Sequence, residues 1–162
     1  LIMMLLFTTA FAASPSFRTQ TLTALVEMFD DHSEIRFSGT TNGAETHKMS
    51  ILWMPDGYQI GLEEFDESRM IISAEGENGE SLNVAATAIS ESRSYSFDTE
   101  GATEEPATVR GNEAVVYQVK TEDEDKVTVL WTDIEKGWIV RVTGYNISKE
   151  DMLRISENVE IR

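Results

Sequence analysis

Apolar and polar positions alternate most regularly near the end of the chain. Val127, Val129 and Trp131 fall at every second position, as do Trp138, Val140 and Val142 beyond a turn holding Asp133, Glu135, Lys136 and Gly137. A period of two places such residues on one face of a strand, so the segment predicts a β-hairpin with a tryptophan-bearing face. Ser148 then supplies an N-cap hydroxyl, Asp151 stands three residues on, and Ile147 and Met152 occupy the two positions of a hydrophobic staple. A helix therefore starts here. Its stripe of Met152, Ile155 and Val159, with Leu153 beside it, needs a sheet to cover.

The earlier part of the chain carries the same two periods. Phe17, Leu22, Leu25, Val26 and Phe29 recur at helical spacing and predict an amphipathic helix over residues 17–30. Ile35, Phe37 and Gly39 read as a short strand, and Met49, Ile51 and Trp53 as the next. Pro55-Asp56-Gly57 fits a tight turn, because proline presets φ and glycine accepts a positive one, and a strand over residues 58–62 follows. Residues 69–74 and 81–88 flank an Asn78-Gly79 turn as a second hairpin. Tyr95 and Phe97 alternate, residues 98–106 read as an exposed acidic loop, and Val109, Val115, Tyr117 and Val119 return to strand pattern. Regular turn spacing with helices only at the two ends predicts an α+β fold: a curved antiparallel β-sheet, with an N-terminal amphipathic helix and a C-terminal capped helix packed on it.

Residues 1–13 stand apart, being apolar and uncharged yet shorter than the roughly 20 residues a membrane-spanning helix needs. They fit the apolar region of a signal peptide, with Ala10-Phe11-Ala12 as the cleavage site, or the outer end of a truncated transmembrane helix. The second reading is preferred, since the run opens on Leu1 with no basic flank. Either one makes residues 14–162 a single extracytoplasmic domain, anchored to the membrane, or secreted if the segment is cleaved. Net charge sharpens this. At −16, from 29 acidic against 13 basic residues, the chain is unsuited to a nucleic-acid partner or an anionic lipid surface, so membrane contact runs through the N-terminal segment alone.

Catalytic and metal motifs are missing from the pattern. With no cysteine, disulfides, thiolate metal sites and thiol nucleophiles are excluded. His32 and His47 have no further ligand at metal-binding spacing. The acid clusters at Glu63, Glu64, Asp66 and Glu67 and at residues 122–125 lack the loop pattern that wraps calcium, and read as solvated turns. No Gly-x-Ser-x-Gly elbow occurs, no carboxylate pair is singled out for glycoside hydrolysis, and residues 76–79 form a hairpin turn rather than a phosphate loop. The sequence thus assigns no catalytic residue, metal ligand or cofactor.

One constellation could bind something: Trp53, Tyr58, Trp131, Trp138 and Tyr145. Core packing between sheet and helix accounts for most of it. Were the sheet to curve away from its helices, the same rings with Met49, Met54 and Met70 would line an apolar groove for a lipid or peptide. Two functions follow. The first is a non-enzymatic sensing or interaction module whose partner is an envelope protein, with a filled core and no polar constellation in its largest pocket. The second is a carrier of an apolar ligand.

The ordered features also resemble a family. Ser14, Pro15, Ser16, Phe17 and Arg18 lie beside the apolar segment, followed by Met54-Pro55-Asp56-Gly57-Tyr58, Asp98-Thr99-Glu100, Gly111-Asn112-Glu113, Val129-Leu130-Trp131, Ser148-Lys149-Glu150-Asp151 and Ile155-Ser156-Glu157. In this order they are similar to the extracytoplasmic domain of unknown function 4367, common in Gram-positive bacteria. The resemblance implies an outward-facing sensory or ligand-binding domain of single-span membrane proteins, some with an anti-sigma-type cytoplasmic segment. It implies no enzymatic activity and supplies no functional residues.

Overall fold

The computed structural model describes residues 23–28, 32–38, 47–89, 94–121 and 125–162, with backbone alone for residues 23–28, 32–38 and 94–98. In chain order the elements are β1 (Thr23–Met28), β2 (His32–Ser38), β3 (Met49–Ile51), β4 (Gln59–Phe65), β5 (Arg69–Glu75), β6 (Ser81–Ala88), β7 (Ser94–Asp98), β8 (Thr103–Val109), β9 (Asn112–Lys120), β10 (Asp125–Asp133), β11 (Trp138–Tyr145), α1 (Lys149–Glu157) and β12 (Val159–Ile161). Seven strands make one antiparallel sheet in the order β4-β5-β6-β11-β10-β9-β8. A three-stranded sheet β1-β2-β7 and a two-stranded ribbon β12-β3 complete the pairing. The chain is therefore mostly antiparallel β-structure with one C-terminal helix among the described residues.

The tryptophan hairpin stands at the middle of the large sheet. Val129 pairs with Val142 and Trp131 with Val140, so the alternation Val127, Val129, Trp131 and Trp138, Val140, Val142 falls on one face. All six are buried. Between the strands, Asp133 accepts a hydrogen bond from the Lys136 N–H at 3.0 Å and Gly137 takes a φ of 75°. On the same face of neighbouring strands stand Leu82, Val84 and Ala86 of β6, Met70, Ile72 and Ala74 of β5, and Ala114 and Val116 of β9. Helix α1 and the β12-β3 ribbon close this layer with Met49, Ile147, Met152, Ile155, Val159 and Ile161. Burying each Val, Ile or Met side chain stabilises the fold by roughly 1.5–3 kcal/mol before entropy is counted.

The helix begins where its sequence says. Ser148 Oγ accepts the Asp151 N–H at 3.1 Å and donates to the Asp151 carboxylate at 2.8 Å, while Ile147 and Met152 are both buried. The backbone must come close here. A methyl group at Gly144 would collide with the Met152 sulfur and crowd Ile147, so glycine on β11 is what lets the helix settle. At the other end Asn158 donates its side-chain amide to the Arg154 carbonyl at 2.8 Å and stops the helix. Val159, expected on the helical stripe, is the first residue of β12. It remains buried and pairs with Ile51.

Two further expectations are corrected. Within the stretch read as an N-terminal amphipathic helix, residues 23–28 form strand β1, paired antiparallel with β2; residues 17–22 and 29–30 lie outside the described residues. The pattern satisfied both periods, because Ala24, Val26 and Met28 alternate while Leu22, Leu25, Val26 and Phe29 follow helical spacing. The acidic loop at residues 98–106 is half strand: β8 begins at Thr103 and includes Pro106. A proline is tolerated there because β8 is the sheet's outer strand. The turn between β8 and β9 is Arg110-Gly111, with φ of 50° and 82°, the two-residue geometry that matches strand twist. Arg110 then ties the sheet to the helix end, its N–H donating to the Glu157 carboxylate at 3.1 Å and its guanidinium to the Val159 carbonyl at 3.1 Å.

The β4–β5 turn is held by one carboxylate. The backbone N–H of Ser68 at 2.7 Å, the Ser68 hydroxyl at 3.0 Å and the N–H of Arg69 at 2.7 Å all donate to Asp66, holding its pKa below the ordinary 3.8. The native fold thus favours the charged form, so this stabilisation is complete above the ordinary value and is lost as pH falls through the depressed one. An Asp66→Ala variant should be less stable than the parent near neutrality, with the gap in urea midpoint narrowing from about pH 6 to about pH 3. A gap that stays constant or widens on acidification contradicts the assignment.

Candidate functional site

The five aromatic side chains divide between two places. Trp131 and Trp138 fill the core between sheet and helix. His47 stands edge-on to Trp138 with ring centroids 5.5 Å apart, which gives that histidine a packing role. Trp53 and Tyr58 are half-buried at the border of the same layer, and the Arg154 guanidinium lies 3.8 Å over the Trp53 ring. Burial raises the Tyr58 pKa, and the nearby Glu80 and Asp151 charges add to that. Tyr145 belongs elsewhere: it is 39% exposed and shares the opposite face of β11 with Arg141 and Thr143. Met49 and Met70 are core residues, and Met54 packs against the core cluster from its border. The five rings are accordingly divided between the two faces of the sheet.

A different site is present. On the second face of the sheet, a cavity of about 270 Å³ is lined by Asn83, Thr99, Tyr117, Lys126, Thr128, Leu130, Arg141, Thr143 and Tyr145. Four strands, β6, β9, β10 and β11, build it by simple alternation, with Thr99 beyond the end of β7. Lys126, Thr128 and Leu130 are the other-face neighbours of Val127, Val129 and Trp131, and Arg141, Thr143 and Tyr145 are those of Val140, Val142 and Gly144. Register brings Lys126 opposite Tyr145, Thr128 opposite Thr143 and Leu130 opposite Arg141. The Thr128 and Thr143 hydroxyls are 3.3 Å apart, and the Asn83 amide donates to Ser73 Oγ at 2.9 Å, which leaves its carbonyl oxygen turned from that bond.

The lining is cationic and hydroxyl-rich. Among the described residues it contains a lysine, an arginine, three threonines, two tyrosines and an asparagine. Arg141 is half-buried; desolvation pushes its pKa down, the charge of Arg69 on the same face adds to that, and Tyr145 opposes it. An arginine so placed keeps its proton and carries a charge that water screens poorly. Such a surface offers charge-assisted hydrogen bonds to an anionic group. The sequence alone names no polar constellation at this place. The sequence did contain the signal: two of its few basic residues sit at outward positions of one hairpin, where alternation alone reads them as a solvated face.

Other sequence candidates stay dispersed. Glu63 and Glu64 lie on β4, and Asp66 and Glu67 on the turn after it, all exposed. Among the described residues no group of three or more His, Asp or Glu side chains is placed to hold a metal ion, and no helix is long and apolar enough to cross a membrane. Residues 1–13 lie outside the described residues.

The model of a family described as Domain of unknown function (DUF4367) matches residues 48–159, from just ahead of β3 to the first residue of β12. Neither the curated proteins nor the solved structures contain a match to the chain.

The placement of the three tryptophans has a direct optical consequence. Trp53 should carry most of the fluorescence that acrylamide quenches, so a Trp53→Phe variant should emit at shorter wavelength and resist quenching. If quenching persists unchanged in that variant, Trp131 or Trp138 is open to solvent and the core is wrongly drawn.

Proposed function

The chain belongs to the DUF4367 family, and on that premise we propose that it is a non-enzymatic recognition module of the cell envelope, sensing a small anionic ligand in the cleft on the sheet's second face. The observation that carries this reading is the lining itself, where, among the described residues, Lys126 and Arg141 stand with threonine and tyrosine hydroxyl groups. Lys126 and Arg141 stand four positions apart along the β10–β11 ladder, about 13 Å between backbones, and line one cleft with Thr128, Thr143, Tyr117 and Tyr145, a set of donors that suits a ligand bearing a carboxylate or phosphate group. The apolar, uncharged residues 1–13 support membrane anchorage or export, which would turn the cleft toward the outside. A carrier of apolar ligands is the weaker reading, because the aromatic residues it needs face two sides of the sheet.

The test is titration calorimetry of the full chain with a panel of small mono- and dicarboxylates and inorganic phosphate. At least one should bind, and Lys126→Gln with Arg141→Gln should weaken it roughly tenfold or more, the loss expected when charge-assisted hydrogen bonds worth about 1.5–3 kcal/mol are removed. Lys120→Gln, a change at an exposed lysine outside the lining, should leave affinity unchanged. Silence across the panel, or equal binding by the double variant, overturns the proposal.

A further inference from the structure

The two edges of the seven-stranded sheet are built differently. On β8, Pro106 has no N–H to offer and stands exposed beside Glu104 and Glu105, a combination that keeps another strand from pairing. β4 also carries two glutamates, Glu63 and Glu64, but no proline, so each of its residues keeps its N–H; all seven are exposed, and Ile60, Leu62 and Phe65 show 46%, 42% and 40% of their surface to water. Among the described residues no strand pairs with the outer side of β4, and unpaired N–H and C=O groups along such an edge form a template for one more strand. The shift of register between Ile60 and Leu62 spreads the apolar residues over both faces, Ile60 and Phe65 opposite Ala74 and Met70, and Leu62 opposite Ser73. An added strand would therefore meet an apolar side chain whichever way its own side chains point.

Charge selects the occupant. Glu63 and Glu64 lie on the strand and Asp66 and Glu67 follow directly, with no basic residue before Arg69. A second copy of this chain would set carboxylate against carboxylate, each protein carrying a net −16, so self-pairing is opposed at contact and at a distance. We infer that β4 is a docking edge for an extended cationic segment of a partner protein, which adds as an eighth strand with lysine or arginine against these carboxylates and apolar residues against Ile60, Leu62 and Phe65. Backbone pairing supplies the affinity and the charges supply the choice of partner. The surface is separate from the cleft, since β5 lies between β4 and the nearest cleft strand, β6, so either proposal can fail alone.

The probe is a fluorescent peptide of about nine residues alternating lysine with valine, titrated with the full chain by anisotropy, beside a peptide of equal charge in which prolines replace the valines. The alternating peptide should bind, weaken several-fold between about 50 and about 200 mM salt, and lose roughly tenfold in affinity to Glu63→Lys with Glu64→Lys. Leu62→Ser should weaken it too, whereas Glu104→Gln with Glu105→Gln at the opposite edge should not. Amide shifts on binding should centre on residues 59–65. Equal affinity for the proline peptide, shifts centred elsewhere, or dimers of the chain itself paired through β4 would each overturn the inference.

Discussion

Met152 and Ile155 of α1, both sealed from solvent against the valines of β10 and β11, decide the arrangement of everything around them. The sheet alone could not hide its apolar face. With the helix seated there, Trp131 and Trp138 become interior, and the chain leaving α1 is delivered into β12, where Val159 and Ile161 pair with β3 and extend the same layer. Seating depends on closeness, and closeness depends on Gly144. At that point β11 offers a bare backbone, and the Met152 thioether fills the space a side chain would have taken. The Arg110 contacts to Glu157 and Val159 then fix the far end of the helix to the β8–β9 turn, so the helix is held at both ends as well as along its face.

Function follows from the same alternation seen from the other side. Because strands display successive residues on opposite faces, each valine turned toward α1 turns a neighbour the other way, and in β10 and β11 those neighbours include Lys126, Thr128, Arg141, Thr143 and Tyr145. A small apolar cluster of Ile89, Tyr117, Leu130 and Ile139 supports that second face. A strongly acidic chain has thus concentrated two of its cations on one patch of sheet, where register on adjacent strands fixes them to a degree loop residues would not reach. Four of its acids, Glu63, Glu64, Asp66 and Glu67, stand instead on β4 and the turn after it.

What the sequence disclosed and what it hid have one physical explanation. Segments with a single possible period were legible: the hairpin of Trp131 and Trp138, the Asn78-Gly79 and Pro55-Asp56-Gly57 turns, and the Ser148 cap all stand where their chemistry places them. Segments compatible with two periods were not. Leu25 and Val26 satisfied a helix while Ala24, Val26 and Met28 satisfied a strand, and the pairing with β2 that decides between them lies outside any local window. Thr103 to Pro106 looked like a loop because edge strands carry the charge and proline that loops carry, for a different reason. The cleft was hidden because it needs residues from four strands, and only register shows that Asn83, Tyr117, Lys126 and Arg141 share a face.

The most direct measurement is a double-mutant cycle across the helix–sheet contact, with urea unfolding of the parent, Gly144→Ala, Met152→Ala and the combination. Overpacking at residue 144 should cost about 1–3 kcal/mol and truncation at residue 152 about 2–5 kcal/mol. In the combination the new methyl group enters space the thioether has left, so the total loss should fall short of the sum by at least about 1 kcal/mol. Losses that add to within about 0.3–0.5 kcal/mol would mean that the two residues do not touch, and α1 would then have to lie elsewhere.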